Sequence, residues 1–269
     1  MKVRFRSSVD LTECVAPLAK VSADGLATAC PWRIFRWRQG QRHYSGAYWS
    51  ATERAHVIYE SRLELARLIY ADFDPSVRRI VAQPFLLRGT VTGVERKHVP
   101  DYLLVTDSRP VVVDVKPASM MNEPKVSSTL RWTRSAVEAR GWTYEVWTEP
   151  PSVEFQNVRF LAGFRRSAHF NSGLLCELRA AGLDNMSLRA AVGRISGWPG
   201  PVVRSALFHL RGRVTSTSTY PATCRPRICW FREEIGEWLG PNRGGHQSGA
   251  QAFFRVRGLL VGETSRCTR

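Results

Sequence analysis

The sequence predicts an α/β protein in which a mixed central sheet is flanked by helices and followed by a small helical unit. Three observations predict it. Residues 99–117 (V-P-D-Y-L-L-V-T-D-S-R-P-V-V-V-D-V-K-P) read as two short apolar strands joined by a tight polar turn at Asp107, Ser108, Arg109 and Pro110. Around them, periodic segments between residues 52 and 163 run helix, strand, strand, strand, helix, strand, strand. From Phe170 to Leu210 only helical spacing recurs.

In chain order, residues 1–30 predict a strand or two and a loop, read as an N-terminal extension. Pro31–Tyr48 then interleaves Trp32, Phe35, Trp37, Tyr44 and Tyr48 with Arg33, Arg36, Arg38 and Arg42, a pattern that suits nucleic-acid contacts. The stretch reads equally as a twisted hairpin turning near Gln39-Gly40, its aromatics inward and its arginines solvated. Ser50 and Glu53 have capping-box spacing and predict a helix over 52–71, with Val57, Ile58, Leu65, Leu68 and Ile69 at near-helical intervals. Glu60 and Glu64 would share a face of that helix, with Arg67 as an ion-pair partner three residues past Glu64.

Asp74-Pro75 ends the helix, and Arg78–Arg88 predicts a strand bent at Gln83-Pro84. Gly93–Lys97 reads as a charged turn. His98 after it is a phosphate contact or a loop cap, because no second histidine stands at ligand spacing. Lys125–Arg140 predicts a helix stopped by Gly141, and Trp142–Thr148 and Asn157–Gly163 predict strands. Asn171–Ala181, Ser187–Ile195 and Val202–Leu210 predict helices. The last two have the look of a helix-turn-helix or winged-helix core; a small helical lid is the plainer reading.

Composition narrows the function. Apolar residues make up 43% of the 269, enough for a buried core. No apolar run reaches about 18 residues, and no apolar segment follows the first charged residues, so neither a membrane span nor a secretion signal is predicted. The six cysteines are scattered without a disulfide framework, which favours a reducing, cytoplasmic setting. Net charge is +16, with a pI near 10.4, pointing to a polyanionic partner such as nucleic acid. Only five of the 39 basic residues are lysine; arginine suits bidentate phosphate contacts, but base composition of the gene gives the same bias.

Alternation along 111–116 puts Val112, Asp114 and Lys116 on one face, and Asp101 opens the preceding strand, where a hairpin brings it near Asp114. Two carboxylates and a lysine at a strand pair suit a hard cation, Mg²⁺ or Mn²⁺, which activates water and neutralises a phosphoryl transition state. The lysine can position water or offset developing charge. The form P-D … D-x-K resembles the restriction-endonuclease-like PD-(D/E)xK nuclease fold; alone, it fits a solvated strand end as well.

The joint order of segments is more specific, and it resembles the TnsA-type endonuclease subunits of heteromeric transposases. The resemblance is carried by Y-E-S-R-L-E-L-A-R-L at 59–68, F-D-P-S-V-R-R-I-V-A-Q-P-F at 73–85, H-V-P-D-Y-L-L-V at 98–105, V-V-V-D-V-K-P at 111–117, W-T-Y-E-V-W-T at 142–148 and N-V-R-F-L-A-G-F at 157–164. It covers roughly residues 31–210. It implies Glu64, rather than Glu60, as the catalytic helix glutamate, with Asp101, Asp114 and Lys116 completing the set. Glu64, Asp101 and Asp114 would hold the metal. Some family members carry glutamine at the Asp114 position.

The implied activity is Mg²⁺-dependent hydrolysis of the non-transferred strand at the 5′ ends of a transposable element in a bacterial nucleoid. The implied partners are duplex DNA, a DDE-type transposase and an ATPase regulator. The implied domains are a nuclease domain over 31–168 and a winged-helix-like domain over 169–210, the latter associated with partner docking. The alternatives are another PD-(D/E)xK nuclease, of restriction or repair type, and a catalytically lapsed DNA-binding accessory protein.

Residues 211–269 differ in character, holding ten arginines, no lysine, no aspartate and half the cysteines. They read as a frameshifted or degraded end. A basic DNA-binding arm and a zinc site at Cys224 and Cys229 are the other readings.

Overall fold

A computed structural model describes residues 1–8, 10–33, 44–91, 93–183 and 186–214 of the chain. Arg36, Arg38, Arg42, the expected turn at Gln39-Gly40, Cys224 and Cys229 lie outside the described residues, as does nearly all of the predicted tail. The chain divides into two compact units, Met1–Pro151 and Ser152 onward. It is a mixed α/β protein, and none of its described helices is long and apolar enough to cross a membrane.

The first unit contains β1 (Lys2–Ser7), β2 (Glu13–Pro17), α1 (Ala23–Leu26), β3 (Ala29–Cys30), β4 (Gly46–Ser50), β5 (Ala55–Tyr59) and α2 (Arg62–Phe73). Then come β6 (Val77–Ala82), β7 (Leu86–Val91), β8 (Val94–His98), β9 (Tyr102–Thr106), β10 (Val111–Val115), α3 (Pro124–Ala139) and β11 (Thr143–Trp147). The central sheet has the order β11-β10-β9-β6. In it β9 and β10 form the expected antiparallel hairpin, and β11 lies parallel to β10 after the crossover through α3. A second sheet runs β2-β1-β7-β8, with β3 also on β1, and β4-β5 form a separate hairpin.

Alternation explains why V-V-V-D-V can be a central strand. Val112 of β10 joins Leu103, Val105, Leu87, Val3, Trp132, Val137 and Tyr144 in a core beneath the second sheet and α3. Val113 and Val115 join Tyr102, Leu104, Ile80 and Leu68 in a core beneath α2 and the β4-β5 hairpin. Both faces are covered, so both carry apolar side chains. Asp114 is buried on the Val112 side, where a carboxylate must find hydrogen-bond donors.

Several sequence expectations are corrected. Residues 1–30 are not an appendage: β1 pairs with β7 in register Lys2↔Arg88, Val3↔Leu87, and fully buried Val3 and Leu26 belong to the core. The predicted helix over 52–71 starts ten residues later than expected. Residues 55–59 pair with β4 because His56-Val57-Ile58-Tyr59 is β-branched and aromatic and completes an antiparallel ladder. The cap is the second S-x-x-E: Ser61 Oγ accepts from Glu64 N (3.1 Å) and donates to Glu64 Oε1 (2.9 Å). Ser50 Oγ accepts from Glu53 N (3.1 Å) in a turn rather than a helix, and donates to buried Asp72 (2.6 Å), which also accepts from Tyr48 and Thr52 N and fastens the hairpin to α2. Gly93–Lys97 supplies most of strand β8, the turn being confined to Gly93 at φ +80°.

The second unit comprises α4 (Ser152–Ala162), α5 (Ser172–Ala180), α6 (Leu188–Arg194) and α7 (Gly200–Val214). Asn157–Gly163, predicted as a strand, lies in α4 up to Ala162 and in the turn that follows it. The buried residues Asn157, Val158 and Leu161 form a helical stripe, whereas a strand would turn Val158 and Leu161 to opposite faces. The expected boundary at 168 therefore moves to 151. Among the described residues this unit contains only helices, packed through Leu174, Leu178, Leu183, Val203 and Ala206.

Candidate active site

The site lies where β9 and β10 begin and end beside the first turn of α2. Gln83, buried at φ +47°, bends the chain between β6 and β7 and donates its N–H to Asp101 O (2.9 Å). Asp101 N donates to Val113 O (3.0 Å), so the backbone of the P-D aspartate is fixed from both sides. Its carboxylate Oδ2 accepts from Val115 N at 2.7 Å and from Lys116 Nζ at 3.3 Å. Among the described residues none reaches Oδ1. The Lys116 ammonium also donates to Val115 O at 2.9 Å, which holds it at the mouth of the hairpin.

Glu64 projects from the first turn of α2. Its Oε2 accepts from Glu60 N (2.7 Å) and its Oε1 from Ser61 Oγ. Tyr102 OH, deeply buried, lies 3.4 Å from Glu64 O and from Ile58 O, and ties that turn to β9. Burial, reinforced by the charge of Asp101, pushes the Glu64 carboxyl up to about 7. Burial also raises Asp101; Lys116 opposes this and Asp114 adds to it. The predicted i, i+4 pairing of Glu60 and Glu64 on one helix face does not occur, because Glu60 precedes the helix and binds Arg33 Nη1 at 2.9 Å. Arg67 turns from Glu64 to Glu145 of β11, making two bonds of 2.8 and 2.9 Å.

Asp114 has a different setting. His98 Nε2 stands 2.8 Å from both of its oxygens, and Tyr144 OH donates to Oδ2. Toward an ionised carboxylate the ring nitrogen must donate. Burial, then the Asp114 charge, raises the Tyr144 hydroxyl, so it stays a donor. His98, expected at phosphate or as a loop cap, is therefore turned inward to Asp114. Sequence reasoning missed this role and those of Tyr144 and Gln83. One signal was present for Tyr144: a parallel partner for β10 facing Val112 shares the Asp114 side of the sheet.

Of the four predicted catalytic residues, Asp101 is common to the rest, being charge-coupled to Asp114 as well as to Glu64. Asp101 and Lys116 are in contact, with Glu64 close enough to Asp101 for their charges to interact. Asp114 binds His98 and Tyr144. Among the described residues no three histidine, cysteine, aspartate or glutamate side chains are grouped to hold a metal ion. Of the DNA-contact candidates, Arg33 is exposed beside Glu60 and His98 is largely enclosed. No family model matches this chain, and no curated protein is significantly similar to it.

Proposed function

We propose that the protein is a divalent-metal-dependent DNA endonuclease of the PD-(D/E)xK type, acting as the TnsA-like subunit of a heteromeric transposase. The observation that carries the reading is the Asp101–Lys116 contact beside Glu64, two carboxylates of raised proton affinity with an ammonium at their edge. The donors suit a hard cation such as Mg²⁺ or Mn²⁺. No described residue reaches Asp101 Oδ1, and carboxylates whose proton affinity is raised by a neighbouring like charge, Glu64 by Asp101 and Asp101 by Asp114, favour a bound cation. Asp101 and Glu64 would hold the ion, with Asp114 contributing from the His98–Tyr144 side. Such an ion supplies charge neutralisation at phosphate and a more acidic water.

The chain's own residues carry the remaining work. Lys116, fixed by Asp101 and Val115 O, presents an ammonium that orients attacking water and offsets charge developing on phosphate. Glu64, its Oε2 held by Glu60 N and its Oε1 by Ser61 Oγ, is kept in place beside Asp101 as a ligand to the ion. The Arg67–Glu145 bridge and the Tyr102 hydroxyl keep the Glu64 turn against the hairpin.

The test is strand-specific cleavage of a plasmid carrying the element's ends, with Mg²⁺ and the cognate transposase, comparing wild type with Asp101→Asn. The expected result is selective loss of 5′-end nicks while 3′-end cuts persist. Undiminished nicking by the variant refutes the assignment. Cutting without the transposase would point to a free-standing nuclease.

A further inference from the structure

The N-terminal strands carry a feature that their sequence does not announce. Register places Lys2 of β1 directly opposite Arg88 of β7, and Arg88 directly opposite Lys97 of β8. Directly opposed residues share a face, so three cations form one row across three strands. The residues beside them in sequence, Val3 and Leu87, are fully buried, so the row lies on the outer face; Lys2 and Lys97 are exposed. One carboxylate, Glu95, serves both Arg88 and Lys97. Like charges directly opposite one another destabilise a sheet, and a polyanion across the row relieves that repulsion.

The same face continues along β1 through Arg4, paired with Glu13, and Arg6, whose Nη2 donates to Trp32 O at 2.7 Å. Both guanidiniums lie over the Trp32 ring, at 5.9 and 5.3 Å from its centre. Trp32 N and Arg33 N in turn bond Gln83 O (3.0 Å) and Oε1 (2.9 Å). Gln83 is the residue that fixes Asp101 O. The basic face and the candidate site thus share one anchor. Lys2, Arg4, Arg6, Arg88 and Lys97 outnumber Glu13 and Glu95.

We propose that this outer sheet face is a rail for the phosphate backbone of duplex DNA, leading over Trp32 and Arg33 toward Asp101. The identity of the polyanion rests on the endonuclease reading. The contacts are to phosphate, so binding along the rail is independent of sequence and strongly dependent on salt.

The experiment measures fluorescence anisotropy of a labelled DNA duplex of arbitrary sequence, in EDTA, over a salt series. Lys2→Gln, Arg88→Gln and Lys97→Gln are combined in one full-length variant. Its dissociation constant is expected to rise about tenfold or more, and the slope of log K against log salt to shrink by about 2 to 3. A control removing three cations from α3 (Lys125→Gln, Arg131→Gln, Arg134→Gln) is expected to bind as wild type, and Lys2→Arg with Lys97→Arg to keep the full slope. Melting curves check that each variant is folded.

An unchanged slope in the row variant overturns the proposal, and so does an equal loss in the α3 control. Loss of binding to acidic phospholipid vesicles with DNA binding intact overturns it too, by assigning the face to a membrane. Because EDTA removes hydrolysis from the readout, a protein that binds through the row yet never cuts refutes the endonuclease reading and leaves the rail supported.

Discussion

Asp101, just before β9, and Asp114, on β10, belong to one hairpin, yet their surroundings differ. Asp101 is anchored through a single oxygen by a backbone N–H and Lys116. Asp114 is fully buried and has both oxygens engaged by His98, with Tyr144 on one of them. The first arrangement leaves a carboxylate able to take another partner. The second satisfies a buried charge almost entirely from within the fold. The difference is one of degree: Asp101 has an oxygen that no described residue reaches, whereas the two donors on Asp114 also serve stability, since a charge without donors is costly inside a protein.

The largest effect should break the comparison at Asp101. Asp101→Asn keeps an oxygen for Val115 N but removes the charge, so the cleavage proposed above should fall on the order of 10³-fold. Folding stability should hold steady or rise, because a buried charge of raised proton affinity is gone. Asp114→Ala should do the reverse in urea unfolding. It strands His98 and the Tyr144 hydroxyl without their acceptor and should cost about 3 kcal/mol. Equal destabilisation by the two variants would remove the distinction drawn between them.

Glu64 sharpens the Asp101 side through pH. Its folded carboxyl titrates near 7 against an ordinary value of 4.5, so the folded state binds the proton more tightly than the unfolded one. Wild-type stability from this group is therefore present below pH 4.5 and is lost as pH rises through 7. Glu64→Gln cannot ionise and should match wild type at the acid end. At pH 8 it should exceed wild type by about 2 kcal/mol, after discounting for partial exposure. A difference that stays constant with pH would place the titrating group elsewhere.

What could be read from the chain follows from how local each feature is. The shared side of Val112 and Asp114 was legible because strand alternation fixes it, and the place of Asp101 because a proline and a hairpin set it just before a strand; Lys116 lies past the end of β10 and turns to Asp101. The α2 cap was misread because S-x-x-E occurs twice, at Ser50 and at Ser61, and only pairing of 55–59 with β4 decides between them. Asn157–Gly163 looked like a strand because its apolar run is too short to show a period; the turns of α4 before it supply one. Of the His98–Asp114–Tyr144 contact, only the side of the sheet that Tyr144 shares with Asp114 could be anticipated. The full contact requires the registers of β8 on β7 and β11 on β10 together, and no spacing in the sequence encodes that juxtaposition.

The smallest expected effect tests whether Asp114 has any part in binding metal. Tyr144→Phe keeps the ring in the core beside Val112 and deletes only the donor to Asp114 Oδ2. His98 still spans both oxygens, so stability should fall by only about 1 kcal/mol. A carboxylate that ligates a cation depends on such partners for its orientation, and Mn²⁺ affinity, read by electron paramagnetic resonance, should then weaken about tenfold. A purely structural Asp114 would show the small stability loss with Mn²⁺ binding unmoved. In that case Asp101 and Glu64 would have to hold the ion without it, and the Asp114 side of the hairpin would serve only to keep β8, β10 and β11 together.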